Sequence, residues 1–414
     1  MVDVSSGQKG LWLQLQLGYS KAYHNVGFYE ANVAINAGNL EIAIKALVDQ
    51  HESLRTSFIY RMGRPLQHIH EQMDVGLITI DHPLNEDLKQ RFSDAGFNLI
   101  TGPLIRFALF TGEKGEHTLG ISVHHLVSDG WTMNVLLKEL IKNYEAVQNG
   151  IQLVRDPNRI QYTDYMYWEA EESKNYESSI RYWRSKLEGS SYLNIPSDYS
   201  SKKQKSEDGG NEKVTLKRAI SKAVKDYARN HNITSFTFCF AAVYVLLRRL
   251  CNQQDVCVGL PLALRNHEQL EDIIGIFVNS LAIRINPEDK SISFEKLVEL
   301  VNEEILGAQE HQNMPFDEVV RKLQPERKGA KHPFFTVQLN YVPLASDFIE
   351  GEQITFKTIP YNNKTTKFDI TFYYKENAAG DISLGAEYNI SLFSEKTVKI
   401  LLNSLESIIS HGID

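Results

Sequence analysis

The chain has 414 residues, 42% hydrophobic and 23% charged. That supports a folded globule with a sizeable core, in two or three domains or one large pseudo-symmetric body. Acidic residues number 52 against 44 basic ones, a formal net charge of -8, which argues against nucleic acid as the main partner because neutralising phosphates needs a basic excess. Cys239, Cys251 and Cys257 are the only cysteines. They make no disulfide framework and no CxxC pair, so buried thiols in a reducing compartment are expected. The first ten residues lack an apolar signal core, and the longest apolar run, residues 238–247, is too short to span a bilayer. A cytoplasmic protein with no membrane span is the expectation.

In chain order, residues 40–50 read as a helix, with Ile42, Ile44, Leu47 and Val48 on or near one stripe. Residues 118–124 alternate as a strand, with Leu119, Ile121 and Val123 on one face and Gly120, Ser122 and His124 on the other. Residues 132–148 follow as a helix, with Leu137, Ile141 and Tyr144 at helical spacing. Residues 156–172 are rich in Tyr and Trp and run into a helix near 176–187. The stretch SKKQKSEDGGNEK at 201–213 has no apolar anchor and reads as an exposed, mobile loop. Residues 235–250 form a strongly apolar helix and 255–260 a short buried strand. Ser394 caps a final helix with Val398, Leu401, Leu402, Leu405, Ile408 and Ile409 as its stripe and Gly412 as its stop. The chain divides near 175–210 into halves that each mix strands and helices. An α/β or mixed α+β protein of two lobes is expected, with ligand in the cleft between them.

The strand at 118–124 runs directly into His124-His125-Leu126-Val127-Ser128-Asp129-Gly130, and a helix begins just after. In a chain of this composition an HHxxxDG string arises by chance about once in a thousand sequences. Neighbours on an extended strand point to opposite faces, so the two histidines do not both face one cleft. One can act as a general base, since neutral imidazole accepts a proton near physiological pH. The other packs into the body. Asp129 either orients an imidazole, as a triad aspartate does, or pairs with an arginine and braces the turn. Gly130 leaves room for a thin substrate arm beside the helix start. Adjacent histidines without an evident third ligand make a poor zinc site, and no G-x-S-x-G occurs.

HHLVSDGW at 124–131 resembles the signature of the condensation domains of nonribosomal peptide synthetases, in the chloramphenicol acetyltransferase-like superfamily. Six further elements follow the family's order. SGQKGLW at 6–12 resembles S-x-A-Q-x-x-L-W, with Gly7 in the Ala position. QHESLRTSF at 50–58 resembles R-H-E-x-L-R-T-x-F, with Gln50 replacing the first Arg. YTDYMYW at 162–168 is similar to Y-x-D-F-A-x-W, IGIFVNS at 274–280 to I-G-x-F-V-N-T, and HQNMPFD at 311–317 to H-Q-D-x-P-F-E. HPFF at 332–335, followed by VQLN at 337–340, stands where R-N-P-L-F and a strand are expected. The aromatics in these elements, Trp12, Phe58, Trp168 and Phe277, read as core.

The resemblance implies two acyltransferase-like lobes, 1–175 carrying HHxxxDG and 176–414, forming a V-shaped pseudo-dimer with a central tunnel past His125. It implies amide bond formation between a donor acyl or peptidyl thioester and the α-amine of an acceptor aminoacyl thioester. Both ride on phosphopantetheine arms of carrier proteins, with a neighbouring adenylation domain as a further partner. The expected catalytic residue is His125, as a base or as a group orienting the amine. His124, Asp129, Gly130, Arg55 and Arg265 are expected to be structural, with Arg265 or else Arg55 as the partner of Asp129. Asn340 is a candidate to hydrogen-bond substrate. No bound cofactor, no metal and a monomer are expected. An epimerisation domain, a non-catalytic docking platform and a free-standing coenzyme A-dependent acyltransferase share parts of this pattern. A cyclising variant would replace both histidines by Asp. Because Met1 lies only a few residues before the first element, a piece of a larger synthetase is expected rather than a stand-alone enzyme.

Overall fold

Stretches with a two-residue apolar period alternate with stretches of helical period along the whole chain, and they fold into two units that each place helices on a six-stranded sheet. The computed structural model describes residues 1–16, 21–172, 175–199, 206–325, 332–343 and 347–413. The first 172 residues contain β1 (Val2–Asp3), α1 (Ser6–Gln16), β2 (His24–Ala31), α2 (Ala37–Gln50), β3 (Thr56–Arg61) and β4 (Arg64–Ile69). They continue with β5 (Leu77–Ile80), α3 (Glu86–Asp94), β6 (Ile105–Thr111), β7 (His117–His124), α4 (Gly130–Gln148) and α5 (Tyr162–Glu172). Then come α6 (Glu177–Leu187), β8 (Gly209–Thr215), α7 (Arg218–Asn230), α8 (Ser235–Cys251), β9 (Val256–Ala263), β10 (Val278–Ile285) and α9 (Phe294–Glu310). The chain ends with α10 (Phe316–Leu323), β11 (Val337–Val342), β12 (Phe348–Glu350), β13 (Thr355–Ile359), β14 (Ile370–Glu376), β15 (Ile382–Asn389) and α11 (Glu395–Gly412).

The first unit comprises Met1–Lys174, Arg265–Val278 and Ser346–Asn363; the second comprises Asn175–Leu264, Asn279–Ala345 and Lys364–Asp414. A division at one point along the chain therefore leaves out two segments of the second half that pack with the first. One of them carries β12 and β13, which extend the first unit's sheet in the order β12-β13-β2-β7-β6-β5. Strand β13 covers the edge of β2 that would otherwise present unpaired backbone groups. A separate sheet, β1-β4-β3, completes this unit.

Strand β7 is buried on both faces, and its alternation explains how. Leu119, Ile121 and Val123 join Ile44 and Leu47 of α2 and Leu136, Leu137 and Leu140 of α4 in one core. On the other face Gly120 lies under Phe28 and Phe110, where a Cβ would meet both rings at 3.1–3.3 Å. The antiparallel register sets His24 opposite His124. The second unit's sheet runs β10-β9-β11-β14-β15-β8, and its core forms against α7, α8, α9 and α11.

Several expectations need correction. Ile42 faces solvent; Leu40 and Ala43 take its place on the buried stripe of α2. Within the supposed loop, residues 201–205 lie outside the described residues, whereas Gly209–Thr215 is a strand paired with β15. Its backbone hydrogen bonds supply an anchor that side-chain hydrophobicity did not reveal. Cys251 is only half-buried, unlike Cys239 and Cys257. The last helix runs through Gly412, which lies close to the Phe294 ring. Trp168 is 39% exposed, while Trp12, Phe58 and Phe277 are core as expected. Among the described residues no single helix is long and apolar enough to cross a membrane; α7 and α8 together meet the length and composition test only as a pair bent by 108°.

The end of α2 is tied to α4 by a buried network. His51 Nε2 donates to Glu139 at 3.0 Å, and Arg159 grips both oxygens of that carboxylate at 2.9 Å. Burial holds His51 below its ordinary value, with Glu139 pulling the other way. His24 is lowered for the same first reason. Their stabilising contribution is present above the unfolded histidine pKa of about 6.5 and is lost as pH falls through it, because the folded state resists the proton that the unfolded chain accepts. Unfolding free energy in urea should thus be flat from pH 8 to about 6.5 and decline towards pH 5. His51→Gln, which keeps a donor for Glu139, should make that decline shallower; an unchanged profile would show that His51 plays no part.

Candidate active site

His124 ends β7 with its ring on the face of Gly120 and Ser122, packed edge-on against His24 and Phe97 at 5.8 and 6.0 Å. Its Nδ1 accepts the Leu126 N–H at 3.1 Å, so the neutral ring carries its proton on Nε2. That bond turns the strand into one 3₁₀ turn, His125–Val127. His125 rides on the turn, half-buried, with its ring edge-on to Tyr23 at 6.2 Å.

The turn is held from several sides. Ser128, fully buried, donates through Oγ to the His124 carbonyl at 3.0 Å and accepts from Asn25 Nδ2 at 2.9 Å. Gln8 donates to the Leu126 carbonyl at 3.0 Å and to Gln67 Oε1 at 2.9 Å. Neither Ser128 nor Asn25 was singled out in the sequence. Gln8 stands at the Gln of the S-x-A-Q pattern and Ser128 lies inside HHxxxDG, so both were within reach; Asn25 became visible only through strand register.

Asp129 caps α4 in a reciprocal box with Thr132. Its Oδ1 accepts from the Thr132 N–H and hydroxyl, both at 2.8 Å, and from Arg265 Nη2 at 3.2 Å. Its Oδ2 accepts from the same Nη2 at 3.1 Å and from the Phe277 N–H at 3.2 Å. With both oxygens committed to these donors, Asp129 braces the turn; these bonds are not those of a triad aspartate. Arg265 lies 4.0 Å over the Phe277 ring. Burial pulls its guanidinium below the ordinary arginine value, and Asp129 pulls it back.

Arg55, the other candidate partner, is engaged elsewhere. It donates to the His70 carbonyl at 2.5 Å and sits 3.6 Å from Glu52, because the 3₁₀ turn Glu52–Arg55 aims it towards β4 rather than α4. Gly130 opens on free space: a Cβ there would meet nothing within 4 Å. Asn340 lies on β11 in the second unit, and its Oδ1 is buried without a hydrogen bond. Among the described residues no group of three or more His, Cys, Asp or Glu is placed to hold a metal ion.

The segment 270–276 passes over the start of α4 without regular ladder bonds, yet each of its seven carbonyls has a side-chain donor. Arg265 serves Leu270 and Ile273, Trp131 serves Glu271 and Arg159 serves Asp272. Ser53 serves Ile274, Thr132 serves Gly275 and Tyr162 serves Ile276. Buried backbone acceptors must be paired somewhere, and here the pairing fixes the segment. At Gly275 a Cβ would fall 2.1 Å from the Tyr162 ring, so only glycine fits.

Two mixed α/β units, with a histidine on a braced strand-to-helix turn, define the chloramphenicol acetyltransferase-like fold. Among solved structures the chain superposes on the X-domain in the complex of the X-domain and OxyB from teicoplanin biosynthesis, with TM-score 0.90 and 23% identity over 100% of this chain and 93% of that one. The chain belongs to the condensation domain family, whose model matches residues 1–414. It is 32% identical over 411 residues to Malpinin synthetase of Mortierella alpina, covering 96% of this chain and 5% of that protein. It is 31% identical over 406 residues to Gramicidin S synthase 2 of Brevibacillus brevis, covering 96% and 9% respectively. The chain thus spans a small fraction of these nonribosomal peptide synthetases.

Removing one member of a buried ion pair strands the other charge and costs about 3–5 kcal/mol. Asp129→Ala and Arg265→Ala should each destabilise on that scale in urea unfolding and be clearly less than additive together. Arg55→Ala should add fully to Asp129→Ala. Full additivity of the first pair would show that the pair contributes nothing through mutual contact.

Proposed function

We propose that the chain forms an amide bond between two thioester-tethered substrates, with His125 as the catalytic residue. The observation that carries this is the place of His125 in the string: side-chain bonds of His124, Ser128 and Asp129 hold the turn on which His125 rides half-buried, and Gly130 at the start of α4 has room for a Cβ. The acceptor's α-amine attacks the donor carbonyl carbon. The new C–N bond forms, the C–S bond breaks, the amine gives up a proton and the donor thiolate takes one. Neutral imidazole at His125 accepts that proton, or orients the amine by accepting its hydrogen bond as charge develops. An α-amine with a pKa near 8 is partly neutral at pH 7, so a modest base suffices. Holding both reactants together supplies much of the rate.

Both substrates ride on phosphopantetheine arms of a donor and an acceptor carrier protein, with an adenylation domain loading the acceptor. Each arm needs its own way to His125, because a carrier protein is too large to enter. No bound cofactor takes part in the proposed step.

The test is intact-protein mass spectrometry of an aminoacylated acceptor carrier after incubation with a panel of donor carriers. The acceptor should gain the donor's acyl mass. His125→Ala should slow that gain by about two to four orders of magnitude, the usual worth of a positioned acid–base group, with unchanged unfolding. Gly130→Phe, with space for its Cβ, should fold and block transfer. Undiminished product from a folded His125→Ala protein would remove it from the mechanism. Racemisation of the carrier-bound amino acid without any donor would show an epimerase instead.

A further inference from the structure

The first unit carries an open cleft of about 480 Å³ that no residue of the His125 turn lines. Its size falls in the ~300–1,000 Å³ range of small-molecule sites. Helix α4 ends at Gly150, whose φ of +70° reverses the backbone. The Ile151 N–H closes that reversal on the Ala146 carbonyl at 2.8 Å. Residues 150–155 then line the cleft together with one face of α2 and one face of α4. Buried Gln50, at the end of α2, fixes the chain just beyond them. Its Oε1 accepts the Asp156 N–H at 2.9 Å and its Nε2 donates to the Asp156 carbonyl at 3.2 Å. In the α4 wall, Glu139 is already bound by His51 and Arg159. The walls are therefore built and held by the protein's own bonds.

Two parts of the lining have capacity left over. The first is apolar. Ile42, which the buried stripe of α2 leaves out, and Ile151 both line the cleft, and they are 54% and 59% exposed. With Ala46, Val147 and Leu153 they make an aliphatic wall in an otherwise polar surface. The second is charge. Lys45, Asp49 and Arg155 line the same cleft, and among the described residues none of the three has an ion-pair partner. Lys45 and Asp49 are neighbours on one helix face, four residues apart. Arg155 and Asp49 both act on the Arg55 guanidinium: burial holds it below the ordinary arginine value, Arg155 lowers it further and Asp49 pulls it back. Two cations, one carboxylate and an aliphatic wall thus share one small volume.

We propose that this cleft binds a free apolar α-amino acid, with its carboxylate on Arg155 and Lys45, its ammonium on Asp49 and its side chain on the aliphatic wall. The guanidinium fork matches the two oxygens of a carboxylate. The Asp49 carboxylate only accepts, which suits the N–H groups of an ammonium. A ligand with a single charge meets a like charge here: an aliphatic acid meets Asp49, and an aliphatic amine meets Arg155 and Lys45. A zwitterion answers both signs. The site stands apart from the condensation step, because an aminoacyl thioester has no free carboxylate. The cleft therefore selects the free amino acid over its carrier-bound form, and the inference does not rest on the reading of His125.

The experiment is titration calorimetry on the full chain with L-leucine, L-leucinamide, N-acetyl-L-leucine and L-alanine. Leucinamide lacks the carboxylate, N-acetyl-leucine lacks the ammonium, and alanine lacks most of the side chain. Leucine should bind at least about tenfold tighter than either derivative, since each has lost charge-assisted hydrogen bonds, and tighter than alanine. Arg155→Gln should remove the discrimination against leucinamide, with Lys45→Gln reducing it. Asp49→Asn should remove the discrimination against N-acetyl-leucine. None of the three side chains is fully buried, so the variants should fold, and urea unfolding checks that they do. Three results would each overturn the proposal. One is no leucine binding at millimolar concentration. Another is a derivative that binds as tightly as leucine. The third is a preference that survives both Arg155→Gln and Asp49→Asn, which would place the bound leucine elsewhere on the protein.

Discussion

The buried pair of Asp129 and Arg265 is the interaction on which the rest of the first unit's site depends. Two charges taken out of water are a liability unless every remaining donor and acceptor is used. The chain meets that condition at the carboxylate by gathering distant pieces around it: the start of α4, the Arg265 guanidinium and the Phe277 N–H all end there, while on the guanidinium side Nε stays buried without a hydrogen bond. Arg265 then reaches on to the Leu270 and Ile273 carbonyls. One ion pair thereby joins the strand end, the helix start and a segment that arrives from far along the chain.

For the chemistry, this separates rigidity from reactivity. Asp129 is consumed in structure, so His125 is not one end of a charge-relay pair with it. What the fold supplies is placement: a short turn fixed by His124, Ser128 and Gln8, with an open glycine beside it. That suits the proposed reaction, in which two tethered partners need to be aligned more than activated.

Much of this was legible in the sequence because the decisive patterns are local. The alternation of 118–124, the capping Ser394 and the apolar run of α8 each follow from spacing within a few residues. The HHxxxDG string stood out because a strand, a turn and a helix start meet there. The choice of Arg265 over Arg55 was not legible: both are arginines near the right motifs, and only the path of 265–278 distinguishes them. Strand β8 hid in a polar stretch because its stability comes from pairing with β15. The return of β12 and β13 to the first unit's sheet is a long-range pairing with no local signature.

One ion pair holds the His125 turn and the 270–277 segment as a single unit. Amide hydrogen exchange on an Arg265→Gln variant tests it most directly, read by mass spectrometry on peptides covering each region. Breaking the pair should speed exchange at 125–132 and 270–277 together, by similar factors, while α11 and the second unit's core keep their protection. Faster exchange confined to 265–277, with 125–132 unchanged, would contradict it.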